Sequence, residues 1–375
     1  MNPLLRLQEL GQSVWYDNIH RGLLQSGALA RMIRDDGLSG VTSNPTIFEK
    51  AINGSSAYDD ALRVLLKKQP DLDDQAVFFT IAMEDIQMAA DQLLPVYQRS
   101  GHHDGMVSLE VSPDLAYDAE ATIREARALF QRAARPNVMI KVPATRAGLP
   151  AIEALIADGV NVNVTLLFSI ERYREVAEAY LLGLESRLRR GRDITEVCSV
   201  ASFFVSRIDT KVDRLLQEQL AQADAEKKPL IQGLLGKIAI ANAKMAYQVY
   251  QEFYAGNGFG QLREAGAQTQ RLLWGSTGTK NPAYSDVLYV DSLIGPETVN
   301  TIPPATYDAY KDHGNPHLTL TEGLAEAHQT LATLAELDID LDAVTTELEK
   351  EGVHLFAESF HTLLAGIAEK RRTLS

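Results

Sequence analysis

Val160-Asn161-Val162-Asn163-Val164-Thr165-Leu166-Leu167 sets Val160, Val162, Val164 and Leu166 on one face of an extended chain and Asn161, Asn163 and Thr165 on the other. Two other runs repeat the pattern. In Gly105-Met106-Val107-Ser108-Leu109-Glu110-Val111, the residues Val107, Leu109 and Val111 oppose Ser108 and Glu110. In Asn137-Val138-Met139-Ile140-Lys141-Val142-Pro143-Ala144-Thr145, the residues Val138, Ile140 and Val142 oppose Met139 and Lys141. Helical patterns separate such runs, the signature of βα units and a parallel sheet. A sheet covered by helices outside and polar inside is a closed one. The pattern predicts an α/β fold, a (β/α)8 TIM barrel, with polar residues at the C-terminal mouth of its strands.

Five further runs bring the strands to eight: Val14–Asp17, Gly40–Pro45, Cys198–Phe204, Leu272–Ser276 and Thr298–Ile302. Between them lie amphipathic helices. Asp71 to Tyr97 aligns Phe79, Ala82, Met83, Ile86, Ala90 and Leu93 at three-four spacing. Ser169 can cap a helix with the stripe Tyr173, Val176, Ala177, Tyr180, Leu184 and Leu188. The interval from Asp209 to Gln270 exceeds one crossover and predicts two helices around Pro229. A helix from His354 to Arg372 turns Phe356, Phe360, Leu363, Leu364 and Ile367 inward. Ala255-Gly256-Asn257-Gly258-Phe259-Gly260 is only superficially a nucleotide fingerprint, because it follows a helix, and it is expected to be a loop. The organisation expected is one barrel domain over residues 1–375, with a helical insertion near 209–270 and additional C-terminal helices near 319–372.

The 375 residues are 45% hydrophobic and 23% charged, which suits a globular protein with a large core. A net charge of −14 and a pI near 5.1 argue against nucleic acid or an anionic membrane as partner. A small anionic substrate then needs a local cation cluster. The basic run Arg187-Leu188-Arg189-Arg190-Gly191-Arg192 fits a solvated helix end better than a binding patch. One cysteine, Cys198, permits no internal disulfide and no cysteine-based zinc site. His102-His103-Asp104 offers no third ligand and no shared face, so no metal is expected. With neither a signal-peptide core nor a long apolar run, the expected location is cytoplasmic.

Lys141 carries the chemistry. An amine within a central strand loses hydration, which disfavours the ammonium form, and a neutral amine attacks carbonyl carbon to give a Schiff base. An edge-strand lysine reaching solvent is the ordinary alternative for any single strand lysine. Six of the other strand ends, however, also supply a polar group: Asp17, Thr42 with Asn44, Glu110, Asn163 with Thr165, Ser202, and Ser276. Singly, each has a bland reading as a cap, a turn or a β former. Together, at one end of one barrel, they make a site.

Several of these stretches resemble the successive strand motifs of transaldolase: Gly40-Val41-Thr42-Ser43-Asn44-Pro45-Thr46-Ile47-Phe48, Val107-Ser108-Leu109-Glu110-Val111, Ile140-Lys141-Val142-Pro143-Ala144-Thr145 and Asn163-Val164-Thr165-Leu166-Leu167-Phe168-Ser169. Ser202-Phe203-Phe204-Val205-Ser206-Arg207-Ile208-Asp209 matches the next motif, and the match runs on through Gly275–Pro282 and Asn300–Pro304 to the last helix. It covers nearly the whole chain in order and is most similar to the longer bacterial branch. The resemblance implies class I aldolase chemistry in the pentose phosphate pathway, with sugar phosphates as substrates. A dihydroxyacetone unit would pass from sedoheptulose 7-phosphate or fructose 6-phosphate to glyceraldehyde 3-phosphate or erythrose 4-phosphate. In it Lys141 attacks the ketose carbonyl, Asp17 shuttles protons, and Glu110 acts through a water held by Thr165. Asn44, Asn163 and Ser202 hold the dihydroxyacetone hydroxyls, Thr42, Phe204 and Ser276 line the substrate, and Arg207 binds phosphate. Shorter family members carry an arginine after the seventh strand where this chain offers Lys280, which becomes the second phosphate candidate.

No metal or organic cofactor is expected, since the imine itself withdraws electrons. A homodimer is the assembly considered. The nearest rival is a fructose-6-phosphate aldolase, which releases free dihydroxyacetone; that group generally lacks the third-strand glutamate and has tyrosine where this chain has Phe204. A retaining glycosidase using Asp17 and Glu110 leaves Lys141 unexplained. A pyridoxal phosphate barrel would be yellow, and a sugar-phosphate binding protein has no reason to bury an amine.

Overall fold

The computed structural model describes residues 2–374. Eight parallel strands close in sequence order: β1 (Gln12–Tyr16), β2 (Gly40–Val41), β3 (Met106–Glu110), β4 (Val138–Pro143), β5 (Val162–Leu167), β6 (Ser199–Phe204), β7 (Arg271–Gly275) and β8 (Thr298–Ile302). Each predicted strand is present. β2 is shorter than the run that announced it, because Asn44 caps the helix Pro45–Asn53 by accepting from the Ile47 N–H at 2.9 Å, with Pro45 in its first turn.

Alternation decides which side chains meet. Val138, Ile140 and Val142 of β4 and Val162 and Val164 of β5 join the core shared with the helices. Inside the barrel, Trp15, Met106, Met139, Val200, Leu273 and Val299 form a separate apolar layer. Trp15 lies flat against β2: a Cβ on Gly40 would sit 2.5 Å from its indole ring, so only glycine fits there.

Beneath this layer is a polar floor. Asp104 accepts from Ser13 Oγ at 2.6 Å, Trp15 Nε1 at 2.9 Å and Arg271 Nη2 at 3.2 Å. Arg271 also donates to Ser13 Oγ at 2.7 Å and to the His103 carbonyl. Burial pushes the nearby Cys198 thiol up to about 12, so it stays protonated and unreactive at neutral pH. His102 stacks on Tyr97 with ring centroids 4.5 Å apart. The His-His-Asp run is thus part of the barrel's closure at the end away from the strand tips.

Several sequence expectations change. The interval 209–270 holds the end of the helix Ser206–Leu220 and three more, Lys227–Gln232, Ile238–Ala255 and Asn257–Glu264, instead of two around Pro229. Pro229 sits in the first turn of its helix, where the backbone N–H has no intrahelical partner to lose. The glycine-rich run is the start of a helix, not a loop; a Cβ on Gly258 or Gly260 would meet nothing within 4 Å, so neither glycine marks a close approach. Leu188 is 41% exposed although the rest of its stripe is buried, because a helix of 20 residues outruns the six-residue strands it covers.

The last helix is longer than its pattern suggested, Leu341–Leu374, and lies across the barrel like a strap. Lys211 binds it through Glu347 at 2.7 Å and Glu351 at 2.6 Å. Ser359 meets Thr46 at 2.8 Å, Lys370 pairs with Asp59 at 2.5 Å, and Arg371 pairs with Asp74 at 2.7 Å. Its buried face carries Val344, Leu348, Val353, Phe356, Phe360, Leu363 and Ile367, while Leu364 is only half-buried. No helix among the described residues is long and apolar enough to cross a membrane.

Candidate active site

Strand register assembles the centre of the mouth. Glu110 of β3 pairs with Lys141 of β4, which pairs with Asn163 of β5, so three inward residues stand side by side. Lys141 is 5% exposed. Its Nζ donates to the Ser43 carbonyl at 3.0 Å and lies 3.4 Å from Glu110 Oε2. The amine is therefore both buried and beside a carboxylate. Neither Glu110 Oε2 nor Thr165 Oγ1 has a hydrogen-bond partner among the described residues, and both are buried.

Burial raises the Glu110 carboxyl above its ordinary value, with Lys141 acting the other way and Asp17 adding to the rise. Asp17, one residue past β1, is likewise raised by burial, opposed by Lys141, by its hydrogen bond from Thr42 and by Lys280. Thr42 Oγ1 is 2.6 Å from Asp17 Oδ1 and 2.6 Å from Thr301 Oγ1. Asn163 Nδ2 donates to Ser108 Oγ at 3.0 Å, and Ser202 Oγ donates to Asn163 Oδ1 at 2.6 Å. A proton acceptor, an amine and a row of fixed hydroxyl and amide groups thus converge at one end of the barrel.

A cavity of about 660 Å³ opens above them. Asp17, Thr42, Asn44, Lys141, Ser202, Phe204, Arg207, Ser276 and Lys280 line it. Glu110, Asn163 and Thr165 are not in the lining; they stand behind it, buried. Asn44 spends its carbonyl oxygen on the helix cap, which leaves its amide nitrogen to donate. Ser276 adopts a left-handed backbone, φ 55°, and its hydroxyl is 2.9 Å from that of Ser206. A non-glycine residue held there is a strained position of the kind that clusters at functional sites.

Arg207, just past β6, makes no ion pair among the described residues. The two acids nearest it in sequence point elsewhere. Asp209 accepts from the Ala239 N–H at 2.7 Å and from Tyr289 at 2.9 Å, and Asp213 accepts from the Gly236 N–H at 3.0 Å and Tyr284 at 2.6 Å. The guanidinium instead lies over the rings of Phe204 and Phe356, at 5.7 and 5.9 Å from their centroids. Lys280 is exposed at the rim.

The chain matches the sequence profile of Transaldolase/Fructose-6-phosphate aldolase across residues 14–367. It belongs to that family. Transaldolase 2 of Nostoc sp. is 46% identical over 379 residues, covering 100% of this chain and 99% of the relative. Transaldolase 1 of Streptomyces avermitilis is 47% identical over 370 residues, covering 98% of this chain and 96% of the relative. The transaldolase of Thiobacillus denitrificans is 47% identical over 372 residues, covering 98% and 100%. The chain is an enzyme of this family, and its barrel is the scaffold on which that chemistry stands.

His20, Arg21, Lys50, Tyr58 and Phe356 also line the cavity, and strand-end reasoning did not find them. Arg21 is held by Asp85 at 2.9 Å and Glu84 at 2.8 Å, so its charge is spent within the wall. His20 caps a short helix by accepting from the Leu23 N–H at 3.1 Å. Phe356 carried a sequence signal only as an inward apolar residue of the last helix.

Proposed function

We propose that this enzyme transfers a dihydroxyacetone unit between sugar phosphates through a Schiff base on Lys141. The observation that carries the reading is the adjacency of Lys141 and Glu110 in register, with Asp17 across the same mouth. The lysine amine attacks the ketose carbonyl, and the resulting carbinolamine loses water to form the imine. Glu110, acting through a water held by Thr165, moves the protons of that step; the unmet hydrogen-bonding capacity of both side chains supports a water there. The protonated imine draws electrons from the bond that breaks. Asp17 takes the hydroxyl proton as the aldehyde leaves and returns it when the retained enamine attacks the acceptor aldehyde. Because the imine is the electron sink, the reaction calls on neither metal nor organic cofactor.

Asn44, Asn163 and Ser202 are assigned to the hydroxyls of the three-carbon unit, with Thr42 orienting Asp17. Arg207 receives the phosphate, since a half-buried guanidinium without a carboxylate partner favours an anionic ligand. Ser276 and Lys280 complete that side of the pocket. The family covers both transfer and aldol release; Phe204, which has no hydroxyl to offer beside the imine, and Glu110 both favour transfer. The relatives named transaldolase support the same choice. We place the chain in the pentose phosphate pathway, as one barrel domain with its extra helices, working in the cytoplasm, without a nucleic-acid partner given its charge of −14, and alone or as a homodimer.

Borohydride added with fructose 6-phosphate tests the reading: it should fix a dihydroxyacetone-sized mass on the peptide that holds Lys141. Lys141→Met should abolish the adduct and lower turnover of fructose 6-phosphate with erythrose 4-phosphate by about 10⁴-fold or more. A label on another lysine sinks the assignment.

A further inference from the structure

We infer that Phe356, on the strap helix, is a positioning residue for phosphate recognition: its ring, with that of Phe204, fixes the Arg207 guanidinium where the phosphate of a ketose phosphate docks. The inference rests on the assignment of Arg207 to phosphate and goes beyond it, because Phe356 lies on none of the barrel's strand tips. Its ring is buried yet lines the cavity, and its centroid is 5.9 Å from the guanidinium carbon. Phe204 supplies a second face at 5.7 Å. An arginine side chain has four rotatable bonds and would otherwise sample many positions; two aromatic faces remove that freedom without consuming any of its five N–H donors. A carboxylate partner would also fix Arg207, but it would occupy the fork and cancel the charge the phosphate needs. Aromatic clamping is the way to hold a guanidinium and leave it hungry for an anion.

The strap helix is shaped to allow this approach. A Cβ on Gly352 would lie 2.8 Å from Leu166 Cδ2 and 3.7 Å from Arg207 Nη1, so the glycine lets the helix backbone come close to both side chains, and a larger residue there would have to displace the Leu166 side chain. Leu166 itself has a left-handed backbone, φ 57°, within the irregular register between β5 and β6. One turn further on, Phe356 comes down beside Arg207. Lys211, pinned to Glu347 and Glu351, holds that stretch of the strap to the helix that begins with Ser206 and Arg207.

The test is the phosphate preference: kcat/KM for fructose 6-phosphate over that for unphosphorylated fructose, each with erythrose 4-phosphate as acceptor. Phe356→Ala and Phe356→Leu should each lower it about 3- to 30-fold, mainly through KM for the phosphorylated ketose. Phe356→Tyr, which keeps the ring face, should stay within about twofold of the parent. In an Arg207→Ala background the Phe356→Leu change should lower the preference no further, because the group it positions is gone. Leucine keeps the apolar volume, so Phe356→Leu carries the test if the alanine variant does not fold. Equal losses for both ketoses, or a full preference in Phe356→Leu, would show the ring to be packing only and overturn the inference. If Arg207→Ala loses the preference and Phe356→Leu does not, the inference fails alone. If Arg207→Ala itself keeps the preference, the phosphate assignment fails and the inference falls with it.

Discussion

At the floor of the barrel Asp104 collects three donated hydrogen bonds, and Arg271 finds a carboxylate, a hydroxyl and a carbonyl within reach. At the mouth, some 20 Å of strand away in a six-residue strand, the same residue types are left unmatched. Arg207 has aromatic rings in place of a carboxylate, Thr165 Oγ1 lacks a hydrogen-bond partner, and Lys141 leans on one carbonyl and on Glu110 Oε2, which at 3.4 Å has no closer partner. Buried polar groups that are fully paired specify a structure; buried polar groups held short of their partners are a poised site. The difference teaches where to look in such a barrel: at buried or half-buried polar groups left short of partners, such as Arg207 without a carboxylate and Thr165 without a hydrogen bond.

The sharpest way to break the comparison is Asp17→Asn. It keeps the acceptor for Thr42 but removes the base, so turnover should fall about 10²- to 10⁴-fold in a coupled transfer assay. The same change should stabilise the fold at alkaline pH. Burial raises the Asp17 carboxyl, so the folded state binds that proton more readily than the unfolded chain. The group's stabilisation is complete below the unfolded value near about 4 and is lost as pH rises through the raised folded value. The variant, neutral throughout, escapes that loss, and its melting temperature should exceed the parent's by a margin that widens with pH. A variant both slower and less stable at pH 8 would mean that Asp17 is structural.

Asp104→Asn asks the opposite question of the floor. It strands a buried guanidinium and should cost about 3 kcal/mol in denaturant unfolding. The kcat/KM of the folded fraction should not move, and a change in KM would erase the distinction between the two ends.

The smallest effect is expected from His103→Gln. Burial and the charge of Arg271 pull this imidazole below its ordinary value. Its contribution is therefore present above about 6.5 and lost as pH falls through the depressed folded value, the reverse of Asp17. The variant should lose less thermal stability than the parent between pH 7 and pH 5. Equal slopes would show that His103 is too wet to matter.

Strand identity was legible because a barrel writes two alternating faces into every strand, as in Val162–Leu167 and Met106–Glu110. Lys141, Glu110 and Asn163 could be named because each is a polar residue on the face that should be inside, and their adjacency follows once register is known. Phe356 and Lys50 stayed hidden: each belongs to an ordinary amphipathic helix, and only tertiary packing brings either to the cavity. Four helices stand between β6 and β7 where the pattern suggests two, because a proline reads as a boundary in sequence, whereas in a helix's first turn it removes no intrahelical hydrogen bond.

The order in which the chain is made gives the strap helix a further meaning. Strand closure is complete at Ile302, but one wall of the cavity is Phe356, more than fifty residues later. A chain still on the ribosome can therefore have all eight strands in place and still lack the ring beside Arg207. Synthesis from the N-terminus therefore finishes this wall of the cavity only after the strands that carry the rest of it.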